Sequence, residues 1–190
     1  MSINGRRVLV LTTNYGTEQD ELKKPVAALR EAGAEVTVAA SKDEPVVTLV
    51  SDQHPGDKVR PDTTIGEVSA DGYDAVVVPG GTVNADSLRT DQKAQQLVTA
   101  FATDGKIVAA ICHGPWLLID SGIVADRELT SYPSVSTDLV NAGGTWRDRE
   151  VVVDTSGGFP LITSRKPDDL EPFSDAIIEA LARTESRAAA

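Results

Sequence analysis

The strand-like run Ala109-Ala110-Ile111 ends directly on Cys112, and His113, Gly114 and Pro115 follow. Cys112 is the only cysteine in the chain. A thiol at the end of a buried strand, with small residues two before and two after it (Ala110 and Gly114), has the pattern of a nucleophile elbow. Such a turn is so tight that its neighbours must be small, and it presents the nucleophile on a strained backbone. Pro115 suits the first turn of the helix that must follow. A helix start beside a thiol lowers its pKa, and an adjacent histidine can serve as general base and acid. Without such a setting a solitary cysteine is usually a buried, inert side chain.

Magnitudes sharpen the requirement. A thiol with a pKa of about 8.5 is only a few per cent ionised at neutral pH. Lowering it by about three units makes it almost wholly thiolate and takes about 4 kcal/mol. A helix N-terminus supplies about 1 kcal/mol or less, so a second group must contribute.

The elements that position this turn alternate along the chain. Val8–Leu11, Val36–Ala40, Ala75–Val78 and Lys106–Ile111 are short aliphatic runs, as expected for parallel strands covered on both faces. Helical patterns lie between and after them, at Leu22–Leu29 up to Gly33, at Ala94–Phe101, at Gly114–Ser121, before Asn141-Ala142-Gly143-Gly144, and at Asp168–Arg183. Thr12–Thr17 reads as a polar turn, and residues 41–72 read as a surface excursion with weak strands at Val46–Val50 and Lys58–Arg60. Trp146–Asp154 and Leu161–Thr163 read as a strand pair with Gly157-Gly158 in the connection. The expected fold class is therefore α/β, a mainly parallel sheet with helices on both faces, in one domain over 1–190 with a frayed tail at 185–190. Ligands of such sheets bind beyond the carboxyl ends of the strands, where Cys112 and the turn Pro79-Gly80-Gly81 fall.

Composition excludes several classes. Net charge is −11, which opposes binding to phosphate backbones and anionic membranes, so no nucleic-acid or membrane partner is expected. No run approaches the roughly 20 apolar residues of a membrane span, and the Val8–Leu11 run is a strand rather than a secretory leader. One cysteine cannot make an intrachain disulfide or a cysteine-based metal cluster, so a cytoplasmic protein without metal or cofactor is expected. Gly80 and Gly81 let backbone N–H groups approach a substrate oxygen; the phosphate-loop alternative lacks its glycine and lysine pattern. His54 reads as a solvated loop residue, and Trp116 and Trp146 as packing residues.

The motifs together resemble the PfpI family, within the class I glutamine amidotransferase-like superfamily. The matching pieces are Gly16–Leu22 with Pro25, Asp74–Gly81, Ala109–Leu118, Leu129–Pro133, Asn141–Gly143 and Ile162–Arg165, in the family order over nearly the whole chain. The resemblance implies a flavodoxin-like three-layer sandwich with Cys112 as nucleophile and His113 as its partner. It implies that Glu21, four residues before Pro25, reaches the thiol, with Glu18 one helical turn earlier behind it. An ionised carboxylate would raise the thiol pKa, so Glu21 can help only when protonated and donating, and the two acids then titrate as a pair. The resemblance further implies an oxyanion turn at Gly80 and Gly81 with the His113 amide as second donor, and Tyr132 beside the thiol to position substrate. In protease-like members a neighbouring subunit supplies an acid for the histidine. Asp86 holds that place here once one residue is inserted after Gly81, with a shorter carboxylate than the family's usual glutamate.

The functions implied are a stress-protective enzyme acting on reactive carbonyls by glyoxalase- or deglycase-type chemistry, or an intracellular cysteine peptidase. A non-catalytic redox sensor or chaperone-like stress protein is the third. The partners implied are a small carbonyl or peptide substrate and a second copy of the chain, as a homodimer or larger assembly. A true amidotransferase is disfavoured because no histidine follows His113.

Overall fold

Val8 and Val10 face one hydrophobic cluster and Leu9 and Leu11 the other, and Ala109/Ile111 and Val108/Ala110 divide in the same way. This period of two, apolar on both sides, is what a strand covered on both faces requires. The computed structural model describes residues 2–188, with side chains through Arg183. In chain order the elements are β1 (Arg7–Thr12), β2 (Tyr15–Glu18), α1 (Gln19–Glu31), β3 (Glu35–Ala40), β4 (Val46–Val50), β5 (His54–Val59), β6 (Thr63–Thr64), β7 (Ala75–Val78), α2 (Thr82–Leu88), α3 (Gln92–Thr103) and β8 (Ile107–Ile111). They continue with α4 (Pro115–Asp120), β9 (Glu128–Leu129), α5 (Ser136–Asn141), β10 (Thr145–Trp146), β11 (Val151–Asp154), β12 (Leu161–Ser164) and α6 (Leu170–Ala188).

The central sheet has the order β11-β12-β8-β7-β1-β3-β6 and is parallel except for the edge strand β11. Helices α1 and α6 cover one face through Leu22, Leu29, Phe173 and Ile177. Helices α2 to α5 cover the other through Leu88, Val98, Phe101, Leu117 and Leu139. This is the expected α/β three-layer architecture. From the centre, β1 leads to β3 on one side and β7 lies on the other, so the strand order reverses beside β1, where a crevice opens at the carboxyl ends.

The fold departs from the sequence expectations at four places. The polar stretch Thr12–Thr17 contains β2, which pairs with β4 in a second sheet, β2-β4-β5. That pairing partner lies some thirty residues away, beyond the reach of local periodicity. The stretch after Gly81 forms two helices, because the Asp91 side chain accepts from the Lys93 and Ala94 amides and starts a new one. The Trp146–Asp154 strand divides into β10, paired with β9, and β11, paired with β12. His54 opens β5 rather than sitting in a loop, and it is exposed. Trp116 and Trp146 pack against the second cluster as expected. Helix α6 runs to Ala188; the remainder of the tail expected to fray, Ala189 and Ala190, lies outside the described residues. Among the described residues no helix is long and apolar enough to cross a membrane.

Candidate active site

Strand β8 ends at Ile111, and the next residue breaks the pattern. Cys112 has φ 61°, the left-handed region that a side chain adopts only under constraint. The constraint is visible on both sides. The Cys112 amide donates to Ser164 O at 3.1 Å, its carbonyl accepts from the Tyr132 amide at 2.9 Å, and the Gly114 amide closes the turn on Ile111 O at 2.9 Å. A Cβ at Gly114 would lie 2.6 Å from Val78 O, so the position admits only glycine. The elbow legible in the sequence is thus a real backbone feature, and α4 begins immediately after it.

Helix α1 brings Glu21 to the same point. Its side chain is fully buried, and Oε2 accepts from the Gly80 amide at 2.8 Å. Oε1 has no aligned partner, and the neighbouring thiol is the group the carboxyl interacts with. Burial pushes the Glu21 carboxyl up to about 8, assisted by the negative charges of Glu18 and Asp52 and opposed by the Gly80 amide. Burial and the Glu21 carboxyl likewise push the Cys112 thiol up, opposed by the Gly81 N–H, which points at the sulfur. The expected lowering by a helix start is therefore outweighed. Two acids share one dry site, and ionisation of one holds the proton on the other.

The turn after β7 is held from behind. Asn84, completely buried on α2, donates to Gly80 O at 2.9 Å and Pro79 O at 3.3 Å, and its Oδ1 accepts from the Thr13 amide at 2.8 Å. A peptide unit is planar and trans, so fixing Gly80 O aims the Gly81 N–H the opposite way, toward the thiol. Gly81 has φ 83°, and a Cβ there would lie 2.2 Å from Gly16 O. A Cβ at Gly80 would lie 2.6 Å from Glu21 Oε2 and 2.7 Å from Cys112 Cβ. The two glycines differ in use, however: the Gly80 amide is committed to Glu21, which leaves the Gly81 and His113 amides as the pair near the sulfur. Asn84→Ala is expected to lower stability by about 3 kcal/mol, because it strands several buried groups at once. Urea denaturation measures this, and a loss below about 1 kcal/mol would contradict the bracing role.

His113 places Nδ1 3.1 Å from Cys112 Sγ and Nε2 3.2 Å from Ser134 Oγ. Its ring stacks on Tyr132 at 4.9 Å and lies tilted by 59° to the Trp116 ring at 5.2 Å. Burial lowers its pKa, so the ring is held neutral at pH 7. A hydroxyl both donates and accepts, so Ser134 can follow either tautomer as the Nδ1 proton comes and goes. Among the described residues no group of His, Cys, Asp and Glu side chains is arranged to hold a metal ion.

The sequence profile of the DJ-1/PfpI family matches residues 6–180. The chain belongs to that family. It is similar to the deglycase PfpI of Pyrococcus furiosus, 39% identical over 175 residues that cover 92% of this chain and 99% of that one. It is 39% identical to YraA of Bacillus subtilis, whose name assigns it provisionally to the cysteine proteases, over 89% of this chain and 94% of that one. General stress protein 18 of the same organism is also 39% identical, over 90% and 94%. Among solved structures, Drosophila melanogaster DJ-1beta superposes with a TM-score of 0.82 at 34% identity, over 96% of this chain and 91% of that one. An Anabaena variabilis protein reaches 0.85 at 34% identity over 93% of this chain; the chain spans about half (48%) of that two-domain protein, which also carries a ferritin-like domain. The DJ-1/PfpI family thus contains named deglycases, a provisional protease and a stress protein, and this chain is a member of that enzyme family.

In this DJ-1/PfpI protein the structure gathers Cys112, His113, Glu21, Gly80, Gly81 and Tyr132 at one point. Tyr132 is 40% exposed and forms the rim. Glu18 lies behind Glu21, and burial raises its carboxyl while the Asp52 and Ser51 amides oppose that rise. Asp86 stands apart: it is exposed on α2, and within the chain the outer nitrogen of His113 meets Ser134 instead. Sequence reasoning missed Asn84, Ser134 and Asp52. None lies in a motif whose spacing announces it, and each acts through a contact between distant segments.

Proposed function

We propose that the protein is a stress-protective cysteine enzyme that acts on reactive carbonyl compounds by glyoxalase- or deglycase-type chemistry. One observation carries this reading: a strained thiol lies between a neutral imidazole and a buried acid whose pKa is raised to about 8. The thiol proton passes to His113 Nδ1, and protonated Glu21 stabilises the thiolate left behind. The sulfur attacks the aldehyde carbon; the C–S bond forms and the carbonyl π pair moves to oxygen. The Gly81 and His113 amides receive that oxyanion. For methylglyoxal, Glu21 passes its proton to that oxyanion, then takes the C1 proton and returns it to C2 as the O1 proton shifts to O2, giving a lactoyl thioester. Water then cleaves the thioester to lactate and frees the thiol, so the net change is addition of one water. A homologue from Pyrococcus furiosus that carries the name deglycase PfpI supports the carbonyl-directed reading. On this reading the protein works in the cytoplasm and self-associates, with no metal or organic cofactor.

The test is lactate formation from methylglyoxal by the purified protein, followed enzymatically, together with recovery of free thiol from its methylglyoxal hemithioacetal. Absence of both would overturn the proposal. Asp86, exposed on α2, favours a second reading in which a neighbouring copy orients His113 for peptide hydrolysis. Asp86→Asn would then lower peptidase activity about a hundredfold. Unchanged hydrolysis removes that reading.

A further inference from the structure

Helix α2 begins at Thr82, directly after the oxyanion turn, and its first amides need partners. The residue at the cap position is Gly81, which carries no side chain and makes no cap hydrogen bond. It cannot be replaced by a capping residue, because a Cβ there would lie 2.2 Å from Gly16 O and 2.5 Å from Glu18 N. The cap comes from elsewhere. Asp52, at the tip of the β4–β5 hairpin, accepts from the Thr82 amide through Oδ1 at 3.1 Å and from Thr82 Oγ1 through Oδ2 at 2.7 Å. Its own amide donates to Glu18 Oε2 at 3.1 Å. Ser51 and Asp52 both have left-handed φ, 55° and 56°, as a tight hairpin turn requires, and this turn carries Asp52 at its tip.

We propose that Asp52 is a positioning residue: a helix cap supplied by a distant hairpin, which locks the Gly80–Gly81 turn against the thiol and places a negative charge beside the Cys112–Glu21 pair. The proposal rests on the carbonyl-enzyme reading for its turnover readout only. The groups facing the pair are Glu18 from the start of α1, His113 from the elbow, and Asp52 from the hairpin. Asp52 is thus the one acid here that arrives from outside the α1 start, and its charge favours the protonated form of both partners.

Three variants and two readouts test this: Asp52→Ala, Asp52→Asn and Thr82→Val, each assayed for methylglyoxal turnover and for the pH profile of Cys112 alkylation by iodoacetamide. Asp52→Ala is expected to lower kcat about tenfold with KM within about twofold, because the Gly81 donor is displaced. Asp52→Asn keeps an acceptor for the Thr82 amide and recovers most of kcat. Having lost the charge, it still shifts the alkylation profile to lower pH by about half a unit. Thr82→Val retains the charge and the amide contact, so its alkylation profile stays at the parent position while kcat falls less than in Asp52→Ala. A merely structural hairpin contact would leave the Asp52→Asn alkylation profile on that of the parent, and this result overturns the proposal. So does an Asp52→Ala variant with parental kcat. If the parent itself shows no carbonyl turnover, the functional reading fails, yet alkylation of the thiol still decides the role of Asp52.

Discussion

Replacing Cys112 by serine is expected to reduce lactate formation from methylglyoxal at least about a thousandfold while leaving the fold intact. The hydroxyl is nearly isosteric with the thiol and fits the same left-handed elbow at φ 61°. What it lacks is acidity. The site raises the acidity threshold for any nucleophile placed there, through burial and the Glu21 carboxyl, and only an intrinsically acidic and polarisable group can still ionise. Serine begins far less acidic than cysteine, so in this dry site its proton passes to His113 far more rarely than that of the thiol. Thermal unfolding within a few degrees of the parent would show that the loss is chemical. Residual activity above about a tenth of the parent value would mean that the chemistry does not run through residue 112.

Glu21→Gln is expected to separate stability from catalysis. The folded carboxyl holds its proton up to about pH 8, whereas the unfolded one loses it near 4.5. A group whose folded pKa is raised contributes fully below the unfolded pKa, and the contribution is lost as pH rises through the folded one. Between pH 5 and pH 8 the parent should therefore lose about 3 to 4 kcal/mol that the variant keeps. The glutamine amide copies the protonated acid, since its oxygen can accept from the Gly80 amide and its NH₂ can donate toward the sulfur. It cannot release a proton, and kcat should fall about a hundredfold. Parallel stability–pH curves for the two proteins would refute the buried, protonated state of Glu21.

These two residues were legible in the sequence for different reasons. Cys112 announces itself locally: a strand end, small neighbours, a proline and a histidine within a few positions. Glu21 needed both the family resemblance and the argument that a helix start alone is too weak an acidifier. The alternating aliphatic runs reported β1, β3, β7 and β8 because burial on two faces writes itself into consecutive residues. Strand β2 and the trans cap by Asp52 did not register, because they depend on pairing between Tyr15–Glu18 and Val46–Val50 and on a hairpin tip reaching Thr82. Gly80 was read as a donor to substrate. Its amide instead serves Glu21, a distinction of direction that residue type cannot convey.

The depth of the sulfur has one more consequence. Cys112 is 5% exposed, and its sulfur meets His113 Nδ1, whose ring stacks on Tyr132. A disulfide between two copies would require their Cα atoms to come within about 7 Å, which the burial of this residue opposes. Burial of this kind therefore shields the thiol from covalent cross-linking between copies, and only small molecules can reach it.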